Sequence, residues 1–233
     1  MAIKEDLETN IAVMLRSSWT ERDGTVVPEP ESIKLGNDGV KLDAVCLYAD
    51  MAQSTALVNA RSARFAAEMY KAFLLCASRL IKEESGTITS FDGDRVMGIF
   101  IGINKNTRAV RCAMKIHYAV ANLINPAIRK QYPTVDYTMR HAVGVDSSEI
   151  LAARTGVRGA NDIVWVGRAA NYAAKLCDLR DGNYATWITE AVYNTMGDEV
   201  KLGGNPKQSM WEKRLWTPMN NAPIYRSSFW WSI

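Results

Sequence analysis

The sequence predicts an α+β fold, a ferredoxin-like βαββαβ core with a mixed or antiparallel sheet and helices on one face. Three observations carry this. From Leu42 onward, strand-length apolar runs and helix-period segments follow in the order strand, helix, strand, strand, helix, strand. Asp92-Gly93-Asp94 separates TITSF from RVMGIFI and leaves room only for a hairpin turn, where a doubly wound parallel sheet would need a helix. A composition of 48% hydrophobic and 23% charged residues over 233 positions is that of an ordinary globular protein, without repeats or low-complexity tracts.

Residues 1–19 read as a short amphipathic helix, with Ile3, Leu7, Ile11, Met14, Leu15 and Trp19 at spacings of three and four. Residues 20–41, with interspersed charges, prolines and glycines, read as a linker or extended arm, so the chain divides into 1–41 and a main domain over 42–233. LDAVCLYAD is a strand ending at Asp50. A long helix follows MAQST, burying Phe65, Met69, Phe73, Cys76 and Leu80 and stopping at Gly86. After the hairpin, Asn104 is a plausible N-cap for a second helix carrying Val110, Ala113, Met114, Ala121 and Ile124, and His117 shares that face as a structural residue. Residues 137–145 form the next strand and 149–154 a partner for it, while 162–166 run through Gly167 into a helix over 168–179. ATWI is a strand, Thr189 caps a helix over TEAVYNTM, and short strands lie within 199–202, 211–216 and 224–229.

Several function classes fall away. No apolar run reaches the roughly 18–20 residues of a membrane-spanning helix, and MAIKEDLETNIAVML lacks a signal-peptide core, so a cytoplasmic protein without membrane partners is expected. Cys46, Cys76, Cys112 and Cys177 lie at least 30 residues apart, which suggests buried thiols rather than zinc or disulfides. The balance of 28 basic and 25 acidic residues gives no electrostatic case for nucleic-acid binding.

The chemistry centres on Asp50 and Asp94. One ends the first strand and the other lies in the hairpin; in a βαββ unit the first and third strands are neighbours, so the two approach each other. Taken alone, each is an ordinary helix-entry or turn residue. Together, with no histidine or thiolate nearby, they form a hard oxygen site suited to Mg²⁺ or Mn²⁺. The helix opened by Met51–Thr55, with Ser54 and Thr55 in its first turn, offers free N–H groups for phosphate oxygens.

This arrangement resembles the catalytic domain of class III nucleotidyl cyclases over residues 42–202. VCLYADMAQST is similar to the family's first metal-binding motif, TSFDGDRVMGIF to its hairpin with the second metal Asp, and VWVGRAANYAAKL to the helix bearing Asn and usually Arg. MRHAVGVDSSEI and ATWITEAVYNTM have the outline of later family elements. The resemblance implies two divalent ions per active site on Asp50, Asp94 and the Met51 carbonyl. It implies transition-state stabilisation by Asn171 and residue 175, and a head-to-tail homodimer whose active sites combine residues of both subunits. The ribose 3′-oxygen would attack the α-phosphorus of a nucleoside triphosphate and release pyrophosphate. A helix beginning at Arg168 sets Asn171 and Lys175 four apart on one face.

Two departures stand out. Lys175 replaces the usual Arg, keeping the charge but losing the planar fork, and Arg168, two turns back on the same helix, supplies a further cation toward the phosphates. A nucleotide-binding protein without turnover is the alternative that this motivates. At the base-selecting positions, where the family's adenylate and guanylate cyclases carry Lys with Asp or Thr, or Glu with Cys, stand Ser90 and Val164. A hydroxyl that donates or accepts suits uracil's two acceptors and one donor without a charged reader. The adjacent Phe91 and Trp165 read as core aromatics.

With DGDR in the hairpin and no purine selectors, the chain looks like the pyrimidine cyclases of bacterial anti-phage defence, whose cyclic UMP or cyclic CMP activates a separate effector. UTP is favoured over CTP, with an adenylate cyclase of atypical selectors also open. The GGDEF signature of diguanylate cyclases is absent. Near the C-terminus, Lys207, Lys213 and Arg214 are candidates for the terminal phosphates, and RSSFWWSI suggests packing onto the domain or across a dimer.

Overall fold

The computed structural model describes residues 2–157 and 159–233. In chain order the elements are α1 (Ile3–Arg16), β1 (Thr20–Asp23), β2 (Asp38–Met51), α2 (Ser54–Ala60), α3 (Ala63–Glu83), β3 (Thr87–Asp92), β4 (Arg95–Ile101) and α4 (Lys105–Tyr118). A π-helical turn, Ala119–Ile124, leads into α5 (Asn125–Gln131). Then come β5 (His141–Val157), β6 (Ala160–Val166), α6 (Arg168–Leu176), β7 (Thr186–Thr189), α7 (Glu190–Thr195), α8 (Asp198–Lys201), β8 (Leu202–Gly203), β9 (Gln208–Ser209), β10 (Glu212–Trp216) and β11 (Ala222–Ser227).

The central sheet runs β10-β11-β7-β5-β2-β4-β3. Its β5-β2-β4-β3 part is antiparallel throughout, as a βαββαβ core requires, and β7 joins parallel to β5. Two long strands form the spine: β2 pairs with β5 from Gly39↔Ala153 to Met51↔His141. Beyond the reach of β4, β1 adds parallel to the start of β2, and β6 folds back on the end of β5. The strand expected from Leu42 therefore begins at Asp38, and the segment read as an arm contributes β1 to the sheet.

Side-chain parity along β2 divides the core. Val45, Leu47, Ala49 and Met51 meet Phe65, Met69 and Phe73 of α3 and Val110 and Met114 of α4. Val40, Leu42, Ala44 and Cys46 meet Ile33 and the alanine face of α6, formed by Ala169, Ala170 and Ala173. Helices thus cover both faces, not one. Helix periodicity shows that α6 has an apolar face but not which side of the sheet it meets.

Local chemistry explains the element ends. Ser62 interrupts the helix expected after MAQST, its hydroxyl accepting from Phe65 N at 3.3 Å to cap α3. At the other end Ser85, not Gly86, takes the left-handed position (φ 60°), while Gly86 N donates to Ile81 O at 2.8 Å. Gly86 is needed for space, since a Cβ there would stand 2.7 Å from Phe100 Cζ. Asn104 precedes α4 as expected, but in a left-handed conformation without a side-chain cap.

Other expectations need correction. Residues 141–157 are one unbroken strand, so 149–154 pair with β2 and β6 instead of folding back on 137–145. Residues 198–201 are helical where a strand was expected, and α6 ends at Leu176. Helix α1 is amphipathic but buries none of its residues; Asn37 Nδ2 ties it to the body through Met14 O and Ser17 O. The C-terminal tail packs on the domain, with Trp231 N donating to Met114 O and the Trp231 ring under Arg111. No helix among the described residues is long and apolar enough to cross a membrane.

Candidate active site

Asp50 occupies the penultimate position of β2, opposite Arg95 of β4, and Asp94 immediately precedes Arg95 in the two-residue turn of the β3–β4 hairpin. Gly93 begins that turn at φ +59°, a conformation glycine enters without steric cost. Both aspartates therefore reach one corner of the sheet, as the first-and-third-strand argument anticipates. Asp50 is buried on the α6 face. Its Oδ2 accepts from Arg95 Nη2 at 3.1 Å and from Arg180 Nη2 at 2.7 Å. Burial raises the Asp50 pKa, the Arg95 hydrogen bond works against this, and the nearby Asp94 charge adds to the rise. Asp94 Oδ2 is buried and has no hydrogen-bond partner among the described residues.

An orphaned carboxylate oxygen beside a second buried carboxylate is a donor set that fits a divalent cation. The Met51 carbonyl lies at the same corner and accepts from Arg180 Nη2 at 3.1 Å. Among the described residues no group of three His, Cys, Asp or Glu side chains forms a metal-binding cluster. Two carboxylates and a carbonyl leave coordination positions for phosphate oxygens and water, the usual arrangement for Mg²⁺.

Ser54 and Thr55 open α2 directly after this corner, with Gln53 left-handed at φ 61° as the residue before the helix. The first bond into this turn is Leu57 N to Gln53 O, so the amides of Ser54 and Thr55 are free of helical partners. Beside them opens a cavity of about 550 Å³ lined by Ala52, Gln53, Arg140, His141, Arg180 and Tyr184, among others. Arg140 and Arg180 escaped the sequence reading. Arg180 meets Asp50 across 130 positions of chain, a distance at which no periodicity or turn signal operates. Arg140 carries no local signal beyond its place before a strand. It donates to Gly182 O, and Ala52 N donates to Arg140 O at 2.8 Å.

Ser90 follows a register shift in β3 and stands opposite Met97, which is opposite Tyr48. Parity puts Ser90 on the same sheet face as Asp50, and the bulge aims it. Phe91 turns to the other face and is 58% exposed, not a core aromatic; Trp165 does pack into the α6-side core. Val164 lies elsewhere. It pairs with Ala153, which pairs with Gly39, eleven strand positions from Asp50. At ~3.3 Å per residue that is on the order of 35 Å, so one chain cannot bring Val164 to Ser90 or the aspartates.

Helix α6 sits close on β5 because Gly144 has no side chain; a Cβ there would meet the Ala173 carbonyl and stand 2.7 Å from Leu176 Cβ. Asn171 and Lys175 project from its exposed face, with Lys175 Nζ 4.0 Å from Met219 Sδ. Among the described residues no hydrogen bond or ion pair joins either to Asp50 or Asp94. Arg168 is committed to the fully buried Asp146, with Nε 3.1 Å from Oδ2, and donates to Ser147 O at 2.6 Å. Asp146 also accepts from Thr189 Oγ1, so Arg168 anchors the start of α6. Of the C-terminal cations, Lys213 pairs with Glu190 and Arg214 with Glu212, while Lys207 is exposed.

No protein-family model matches the chain. It is 45% identical to the uridylate cyclase of Xanthomonas perforans over 234 residues and 43% identical to that of Burkholderia cepacia over 235, covering all of each protein. Among solved structures it is similar to the guanylyl cyclase Cya2, with a TM-score of 0.69 and 16% identity over 83% of this chain and 95% of that one. The adenylyl cyclase CyaB from P. aeruginosa superposes with a TM-score of 0.67 at 16% identity, over 81% and 95%.

Proposed function

The chain belongs to the uridylate cyclases and has the class III nucleotidyl cyclase fold, and we propose that it converts UTP to 3′,5′-cyclic UMP and pyrophosphate. The observation that carries this is full-length identity of 42–45% to three uridylate cyclases, without insertion of another domain. Residues 38–233 act as the catalytic domain, with 1–37, which hold α1 and the added strand β1, as an accessory segment.

In this reading Asp50, Asp94 and the Met51 carbonyl hold two Mg²⁺ or Mn²⁺ ions. When bound, these ions lower the pKa of the ribose 3′-hydroxyl and neutralise the triphosphate. Ser54 and Thr55 offer backbone N–H groups to phosphate oxygens, and Arg140 lends a positive charge to the adjoining cavity. Ser90, on the Asp50 face of the sheet, hydrogen-bonds the uracil edge without imposing a charge. Asn171 orients the ribose, and Lys175 meets charge developing on the α-phosphate.

Arg168 serves by fixing α6 rather than by touching phosphate, given its ion pair with Asp146. The separation of Val164 from Asp50 supports a homodimer in which Val164, Asn171 and Lys175 of one subunit complete the aspartate site of the other. The product then acts on a separate effector. The test is product identification with each of the four nucleoside triphosphates.

A further inference from the structure

Arg180 belongs to the loop between α6 and β7, and one of its nitrogens touches two groups at once. Nη2 donates to Asp50 Oδ2 at 2.7 Å and to Met51 O at 3.1 Å. These are two of the oxygens assigned above to a divalent ion. A guanidinium nitrogen held between a carboxylate and a carbonyl uses the same lone pairs that a cation would use, and its charge repels that cation at contact distance.

The loop is secured on both sides of this residue. Asp178 lies 3.6 Å from Arg95 Nη2. On the other side, Asp181 pairs with the buried Arg226, which Glu212 also holds at 2.9 Å, and Gly182 O accepts from Arg140. The backbone is thus fixed while the Arg180 side chain is partly exposed at the rim of the cavity shared with Gln53 and Arg140. Arg95 differs. It projects from a strand position opposite Asp50 and, of the two oxygens that Arg180 holds, contacts the carboxylate at 3.1 Å and not the Met51 carbonyl.

We propose that Arg180 is a stand-in cation for the first metal ion. It compensates the buried Asp50 carboxylate and keeps the two oxygens aimed at one point before the ion arrives. On ion binding it rotates into the adjoining cavity and takes a phosphate oxygen of the nucleotide. The proposal rests on the assignment of Asp50 and Met51 as ion ligands.

Mn²⁺ binding to the nucleotide-free protein, read from the electron paramagnetic resonance signal of free Mn²⁺, tests it in the wild type, Arg180→Met, Arg180→Lys and Asp50→Asn. Loss of the competing charge should tighten Mn²⁺ roughly tenfold in Arg180→Met, with Arg180→Lys near the wild type. With saturating Mn²⁺, Arg180→Met should raise KM for UTP about tenfold and change kcat much less, the pattern of a lost binding contact. Unchanged or weaker Mn²⁺ binding in Arg180→Met, with a wild-type circular dichroism spectrum, would overturn the proposal while leaving the ion site intact. Wild-type Mn²⁺ binding by Asp50→Asn would instead overturn the ion site and the proposal with it.

Discussion

Asp50 and Arg95 face each other across the β2–β4 ladder, joined by a 3.1 Å hydrogen bond, whereas Asp94, the residue just before Arg95, keeps a buried oxygen without a hydrogen-bond partner among the described residues. One carboxylate of the pair is compensated within the chain and the other is not. A corner built this way is stable enough to fold yet favours an added cation.

Replacing Asp94 by Asn should therefore abolish turnover, by on the order of 10³-fold or more, without destabilising the fold. Because Asp94 Oδ2 makes no hydrogen bond among the described residues, the melting temperature should stay within about 2 °C of wild type or rise. Thermal unfolding followed by circular dichroism, alongside a pyrophosphate-release assay, measures both.

The composite site makes a prediction about mixtures. Asp94→Ala and Lys175→Ala should each be inactive or nearly so alone. Mixed and allowed to exchange subunits, they should recover up to about a quarter of wild-type activity, since half the dimers are mixed and each then holds one intact site. Activity that never recovers on mixing would mean that all site residues act within one chain.

Gly144 gives a packing test. The methyl of Gly144→Ala would collide with the backbone of α6, so the helix bearing Asn171 and Lys175 must shift. A loss of about 3 kcal/mol in urea unfolding is expected, together with a fall in kcat.

His141 governs acid stability. It is buried near His117, and burial, reinforced by that second ring, pushes its pKa down to about 3. The unfolded chain takes up a proton near pH 6.5 that the folded chain refuses until about pH 3, so stability is full above the ordinary histidine range and falls below it. Between pH 7 and 5 the loss should be about 2 kcal/mol. Asp50, with its raised pKa, contributes in the opposite sense as pH falls through its folded value. His141→Gln should remove most of the slope between pH 7 and 5 in urea titrations.

The sequence made some of this legible and not the rest, for physical reasons. Asp50 and Asp94 stand at a strand end and in a hairpin turn, places that local signals locate, and the strand order of a βαββ unit brings them together. Asn171 and Lys175 are named by the resemblance to the cyclases, and helix spacing adds only that they share one face. Arg180 and Arg140 are legible from neither, because their partners are set by tertiary closure of loops around the sheet end. Ser85 holds the left-handed position that a glycine rule assigns to Gly86, and residue 86 is glycine for a different reason, since Phe100 leaves no room for a side chain there. The apolar stripe of α1 is legible as helical from its spacing, yet within one chain nothing covers it among the described residues.

The most direct test of the central claim is to incubate the purified protein with Mn²⁺ and UTP, CTP, GTP or ATP separately, with Asp94→Ala as control, and to identify products by mass spectrometry. The account predicts cyclic UMP from UTP, absent in the control. Cyclic CMP or cyclic AMP as the main product would contradict the reading of Ser90, and no cyclic product from any triphosphate would contradict the cyclase assignment for this chain.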